Sequence, residues 1–527
     1  MKPRFYLILT ALLLATAAHS QTEALNSIKE SDAVTYMNYL ASDALEGRRT
    51  GSRGNNAAAD YISTTALNIG VKPLPGRQDL FQTLEYLKIT TYADSSVITI
   101  SDTLGNSCFS TLLRPLMAPS NDVDLSGEVV FGGYGYLNTG ARYNDFEGIS
   151  LSDRIVMIMT RNPDLEGTGL PLTGEPVNES IESRKLPMLL MQRAKAILYV
   201  ADPALEKEIT TDDMAFGQSY QVMPLFRKPF GFNINAYVIS RETADKLLQS
   251  SGKTLALLQK TIALTKKPAS FVLPDVKAEV TIKVNKDTVT SSNVIGYIEG
   301  SDSILKNECV IYTAHYDHLG MDALGNVFNG ANDNASGSIG LLNVARAFSE
   351  LEVKPLRSIV FLWTTGEEEG LHGSSYYVDN PLFPLDKTVA DINFDMIGRS
   401  RMKSDVGASL TGAMDITGPD TIKIVSARDF PSFLNDAKES CHETGLYPID
   451  EGKGDHFSGS DHFPFYRKGI PALFFFTGLH HDYHQKTDDI EFIDFEKLIK
   501  VSKAGFLTGY RVANERERPV KDKSGRQ

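Results

Sequence analysis

Cysteine is scarce in this chain. Only Cys108, Cys309 and Cys441 occur in 527 residues, and none has CxxC or CxxH spacing. So few and so scattered, they exclude a disulfide framework. Cys309 sits inside the apolar run CVIYTA and reads as a buried small hydrophobe. A single bridge between Cys108 and Cys441 stays open. Long hydrophobic runs are also missing, with one exception at the N-terminus. There Lys2 and Arg4 precede the apolar run Phe5 to Ala17, and Ala18-His19-Ser20 follows. The run is too short for a comfortable membrane span, and its small-residue end is what signal peptidase reads. Cleavage is expected after Ser20, with a secreted or periplasmic product and no membrane association thereafter. A surplus of positive charge is lacking as well. The formal charge of -13 argues against a nucleic-acid partner, and no charge block is long enough for a tail. Histidine is absent from most of the chain. Of 10 in all, His19 leaves with the signal, and the others lie between His315 and His484.

What is present is ordinary globular composition, with 42% hydrophobic and 23% charged residues, over a length sufficient for two or more domains. Ser31 to Ala41 and Asn55 to Leu67 read as amphipathic helices, and Leu80 to Ser110 as extended chain. Between the two helices, Arg48, Arg49 and Arg53 read as a solvated turn. From about 116 to 272 short β runs alternate with Gly-, Pro- and Asn-rich loops, with one clear helix from Arg241 to Gln249. That span holds no histidine and reads as a β-rich insert without chemistry. Ser291 to Gly300 reads as the strand that returns from it.

From 308 onward the rhythm is strand, loop, helix. The runs CVIYTA, SIVFLWTT, DINFDMIG, TIKIVS and PALFFFT are nearly continuous apolar stretches. Such strands alternating with helices predict a mixed, mostly parallel sheet covered by helices on both faces. Reactive groups in such sheets gather beyond the carboxyl ends of the strands. His315 and Asp317 end the first run, two apart and so on one face of a strand. Asp333 lies in the polar turn GANDNASG. Glu367 and Glu368 end the second run, and Asp395 lies in the third. Imidazole and several carboxylates delivered in this way are the ligand chemistry of a hydrolytic metal site. His318, His372, His442 and His456 read as loop or surface residues. His480 and His481 share a loop with His484, and no role is assigned to either.

These motifs resemble peptidase family M28, the secreted co-catalytic zinc peptidases. Five blocks occur in the family's order: AHYDHLG, GANDNASG, TTGEEEG, NFDMIG and YHQKTDD. The resemblance implies a zinc exopeptidase fold over residues 24–115 and 273–512, a protease-associated domain inserted at 116–272, and a flexible tail at 513–527. It implies two zinc ions per chain, held by His315, Asp333, Glu368, Asp395 and His484, with Asp333 shared. Glu367 would be the general base of a metal-bridging hydroxide, and Asp317 the carboxylate that orients His315. It also implies a cis peptide bond at Asp333–Asn334. Tyr483 resembles a tyrosine that hydrogen-bonds the developing oxyanion. Ser460, Asp461 and His462 match a loop that lines the substrate cleft. Arg399 reads as a structural ion pair rather than a carboxylate clasp. The expected activity is aminopeptidase action on peptide N-termini. A carboxypeptidase or dipeptidase, a single-zinc cyclase-like enzyme, and a non-catalytic binding protein on the same scaffold are the alternatives.

Overall fold

The computed structural model describes residues 20–91, 96–102, 106–115, 119–165, 179–205, 220–226, 235–322, 325–403, 405, 408–409 and 412–522. The expected export signal lies outside these residues, apart from Ser20.

Two sheets organise the chain. The larger has nine strands, and its centre is parallel. Cys309–His315 lies between Ser358–Thr364 and Thr388–Phe394, and Ala472–Phe476 follows on the outer side of the third. All four of these strands are buried at every position, which accounts for their nearly unbroken apolar runs. Thr421–Ser426 then runs antiparallel, with Tyr447–Gly452 parallel at the edge. On the other side Val284–Ile298, Phe81–Thr91 and Gln221–Pro224 add three antiparallel pairings. The parallel pattern expected after residue 308 thus holds there, and the earlier segments make the sheet as a whole mixed.

Helices cover this sheet. Ser52 caps Arg53–Ile69 by accepting the Asn55 N–H at 3.1 Å, and Gly70 ends the helix at φ 109°. The C-terminal helix Phe495–Asn514 lies directly on the central strands. A Cβ at Gly509 would meet the Tyr312 hydroxyl at 1.8 Å, so only glycine permits this approach. Residues 515–522, expected as part of a loose tail, lie against the body. Arg518 pairs with Glu308 at 2.7 Å, and Lys521 with Asp429 at 3.1 Å.

The second sheet has eight strands drawn from residues 97–282. Val97–Asp102 pairs with Phe271–Ile282, so the sheet begins and ends outside the expected limits of 116 and 272. Composition shifts at 116, but strand pairing carries the sheet back to Val97. This unit is less purely β than its runs suggest. Val123–Phe131, Ile155–Met159, Ala196–Val200 and Ala236–Val238 are parallel neighbours. The helices Glu179–Met191 and Leu255–Thr265 accompany them. Pro187 and a weak apolar face hid the first from pattern reading. One piece of the insert leaves its own sheet, because Gln221–Pro224 pairs with Phe81–Thr91 in the larger one. Cys309 and Cys441 are free, buried thiols, so Cys441 makes no bridge.

Candidate metal centre

The carboxyl ends of three adjacent parallel strands meet at one point. His315 closes its strand, Asp395 follows Phe394, and Glu367 and Glu368 sit in the turn after Thr364. Asp333 arrives from a loop whose Asp333–Asn334 peptide bond is cis. Side-chain hydrogen bonds hold that loop. Asn334 donates to the Phe394 carbonyl at 2.9 Å and accepts the Met396 and Gly337 amides at 3.1 and 2.8 Å. The buried Asp488 accepts the Asn332 and Asp333 amides. Asp488 had no expected role, although it stands in the YHQKTDD block.

The two oxygens of Asp333 face different imidazoles. Oδ1 lies 3.5 Å from His315 Nε2, and Oδ2 lies 3.2 Å from His484 Nε2. His315 Nε2 is also 3.3 Å from Asp395 Oδ1, and His484 Nε2 is 3.2 Å from Glu368 Oε2. Ligand bonds of about 2.0–2.1 Å in a tetrahedral zinc site place neighbouring donors about 3.3–3.4 Å apart. The donor spacing here matches that edge length around two centres. The His484 Nε2 atom is buried and has no hydrogen-bond partner, as expected of a donor kept for a cation. The residues present therefore fit two metal ions, with Asp333 between them.

The acids are differentiated. Burial pushes the Glu367 carboxyl well up; His315 opposes this, and Glu368 and Asp395 reinforce it. Burial acts on Glu368 too, but His484 and His318 overcome it and hold that carboxylate well below its usual range. Neighbouring carboxyls pushed apart in this way are suited to different roles. Glu367 Oε2 lies 3.8 Å from His315 Nε2, beside the donor set.

Asp317 does more than face the His315 ring. Its carboxylate lies 3.8 Å from His315 Nδ1, while that nitrogen also meets the Asp317 carbonyl at 3.2 Å. The same carboxylate accepts the Glu367 and Glu368 amides at 3.2 and 3.4 Å and the Thr50 hydroxyl at 3.1 Å. Burial pushes its pKa up to about 7.

Other assignments change. His318 is no surface residue. It is buried, and its Nδ1 lies 2.7 Å from Glu368 Oε1. The DHLG turn folds back under the site, which its polar composition did not reveal. His372 is buried against Tyr86 and Phe226. His480 stands outside the donor set, with Nε2 3.0 Å from Asn332 Nδ2, and His481 is exposed. Arg48 and Arg49 are buried, not solvated; Arg53 alone is exposed. Arg48 donates to the carbonyls of Tyr316, Asn329, Gly330 and Leu40, tying the first helical segment to the loop that leads to Asp333. Burial lowers its pKa to about 10. Arg399 forms a buried pair with Asp482 at 2.7 Å.

Ser460, Asp461 and His462 lie beneath the cleft rather than along it. The chain enters the helix His462–Arg467 at this point and buries all three. Ser460 donates to Asp395 Oδ2 at 2.7 Å, and Asp461 accepts the Thr364 hydroxyl at 2.5 Å. His462 packs against Phe474 and Phe457, and burial lowers its pKa to about 3. The cleft has a volume of about 230 Å³. Met396, Phe474, Phe476 and Leu479 form an apolar wall, and Asp455, His456 and Gly459 form the rim. Tyr483 borders it too, with its ring 3.9 Å from that of His484.

The profile of Peptidase family M28 matches residues 293–506. Leucine aminopeptidase 2 of Trichophyton equinum is 32% identical over 206 residues, which cover 38% of this chain and 37% of that protein. Aminopeptidase YwaD of Bacillus subtilis is 30% identical over 250 residues, covering 46% and 49%. The chain thus spans half or less of the length of these relatives. Among solved structures, the aminopeptidase from Aneurinibacillus sp. strain AM-1 has the same fold, with a TM-score of 0.56, 19% identity and coverage of 95% and 98%. The zinc aminopeptidase BSAP of Bacillus subtilis gives 0.54 and 19%, covering 94% and 98%.

Proposed function

We propose that this chain, which belongs to peptidase family M28 over residues 293–506, is a secreted dizinc aminopeptidase that removes single residues from peptide N-termini. The observation that carries the reading is the two-sided approach to Asp333. His315 and Asp395 stand on one side of it, His484 and Glu368 on the other, all at ligand–ligand spacing. Two zinc ions held there would polarise the scissile carbonyl and acidify the attacking water.

The remaining steps belong to side chains of the chain itself. Glu367 takes the proton of that water and returns it to the leaving amine, and its raised pKa suits a group that must do both. His318 holds Glu368 in place through the 2.7 Å contact. The Tyr483 phenol stands at the cleft as a hydrogen-bond donor to the developing oxyanion. A free α-amine is favoured over a terminal carboxylate by the cleft itself. Among the described residues, its charged lining is the acids Asp333, Glu367, Glu368, Asp395 and Asp455, with no arginine. The nearby Arg399 is committed to Asp482. A cleft of about 230 Å³ also suits a terminal residue better than the middle of a chain. The unit built from residues 97–282 takes the place of the protease-associated insertion. The N-terminal apolar segment supports export with cleavage after Ser20.

The test is hydrolysis of aminoacyl-anilides and of N-blocked peptides by the purified protein, with and without a chelator. Cleavage of the free-amine substrates that stops on chelation and returns with zinc is the expected result. Cleavage of N-blocked substrates, or indifference to the chelator, would reject the reading.

A further inference from the structure

The insert reaches back to the turn that carries Glu367 and Glu368. Residues 220–226 leave the smaller sheet, pair with Phe81–Thr91 and pack into the face behind that turn. Leu84, Tyr86, Tyr220 and Val222 form one buried cluster there, with Phe226 and Tyr376 against it. Gly366, the first residue of the turn, lies so close to Tyr86 that a Cβ would meet its hydroxyl at 2.8 Å.

Two of the residues that Tyr220 touches, Arg49 and Thr50, lead to the same turn. The Arg49 guanidinium lies 4.5 Å from the Tyr220 ring centroid and pairs with Glu369 at 3.1 Å. Glu369 follows Glu368 directly. The Tyr220 hydroxyl donates to the Thr50 carbonyl at 3.3 Å, and the Thr50 hydroxyl donates to Asp317 at 3.1 Å. Asp317 in turn accepts the Glu367 and Glu368 amides. Lys88 Nζ also lies over the Tyr220 ring, 4.1 Å from its centroid. Arg49 is buried, so the pair with Glu369 is shielded from solvent competition.

We propose that Tyr220 is a positioning residue: through Arg49–Glu369 and Thr50–Asp317 it makes the orientation of the Glu367–Glu368 turn depend on the seating of the insert. The proposal rests on the role given to Glu367 above. A base displaced by about 1 Å loses about 100-fold in rate while substrate binding is little changed. The insert thereby governs turnover although none of its described residues lines the cleft.

The full-length, zinc-loaded protein tests this with Tyr220→Ala, Tyr220→Phe and Glu369→Gln. Two readouts are needed: kcat and KM on an aminoacyl-anilide, and hydrogen exchange of the amides in 366–371. For Tyr220→Ala, kcat is expected to fall about 10-fold or more with KM within about twofold, and the Glu367 and Glu368 amides to exchange about 10-fold faster. Tyr220→Phe, which keeps the ring against Arg49 but loses the hydroxyl route to Thr50, is expected to lie between wild type and Tyr220→Ala in both readouts. Glu369→Gln leaves the insert's packing intact and is expected to reproduce the alanine effect, so it decides the matter should the alanine variant not fold. Unchanged exchange or unchanged kcat in both Tyr220→Ala and Glu369→Gln would overturn the proposal. So would a kcat loss matched by loss of bound zinc. Should wild type fail to cleave the anilide, the aminopeptidase reading falls, and the exchange comparison still decides the positioning role.

Discussion

Asp333 and His484, from distant parts of the chain, meet with Oδ2 and Nε2 3.2 Å apart. The other oxygen of Asp333 faces His315 at 3.5 Å. Without a cation, protonated imidazoles balance the buried acids here, and, against the opposing effect of burial, the acids accordingly push the His315 and His484 pKa values well up.

Metal analysis checks this directly. About two zinc ions per chain are expected, and Asp333→Asn, whose amide is a poor bridge, is expected to retain one or none. Zinc in large excess over its Kd is expected to raise unfolding stability by about 3–4 kcal/mol, read as an upward shift of Tm. One zinc per wild-type chain would favour the single-metal alternative.

Glu367→Gln separates proton transfer from metal binding. The variant is expected to keep its zinc and its KM, and to lose about 100- to 10,000-fold in kcat on an aminoacyl-anilide. Full activity would remove Glu367 from the role of base.

Asp317→Asn addresses positioning. The amide cannot accept from the Glu367 and Glu368 amides and the Thr50 hydroxyl as the carboxylate does. A loss of about 10- to 100-fold in activity or zinc affinity is expected, measured by kcat and by competition with a chelator. A variant indistinguishable from wild type in both would show that the ring of His315 and the turn are held by other contacts.

His462 gives a pH dependence of defined sign. Burial among Phe457 and Phe474 lowers its pKa to about 3 in the folded chain. The unfolded chain, with an ordinary value near 6.5, binds the proton between about pH 3 and 6.5 while the folded chain does not. Stability therefore falls on acidification through that window. From neutral pH to pH 5 this residue is expected to remove about 2 kcal/mol, and His462→Phe to abolish that share. Denaturant midpoints of the two proteins at pH 7.5 and 5 are the measurement. Parallel pH profiles would contradict it.

Arg48→Lys probes the tie between the first helical segment and the Asp333 loop. A lysine ammonium cannot reproduce the fork that serves Tyr316, Asn329 and Gly330 together. With buried carbonyls left unpaired, a loss of about 3 kcal/mol or more is expected in denaturant unfolding of the zinc-loaded protein. A loss below the error of that measurement would mean that water replaces the fork.

The parallel centre of the large sheet was legible because strands buried on both faces must be apolar throughout, as in Cys309–His315 and Ser358–Thr364. The ligand candidates were legible for a related reason. His315, Asp333, Glu367, Glu368 and Asp395 stand where apolar runs or the polar turn between them end, and side chains placed there have few structural uses. The helix Glu179–Met191 was not legible, because its pattern is weakly amphipathic and broken by Pro187. Nor was the burial of Arg48 and Arg49. A Gly-Arg-Arg-Thr-Gly string reads as solvent-facing until the carbonyls that fill its forks are brought together from Leu40, Tyr316, Asn329 and Gly330.

The chemistry available at the site could be read from the residues in order, since residue type and strand-end placement are local properties of the chain. The fold alone shows which oxygen of Asp333 faces which imidazole, that His318 contacts Glu368, that Ser460, Asp461 and His462 lie under the cleft, and that Tyr220 reaches the Glu367–Glu368 turn through Arg49. Those are relations between residues far apart along the backbone. They depend on how strands pair and where loops fold back, and no local pattern of hydrophobicity or charge encodes them.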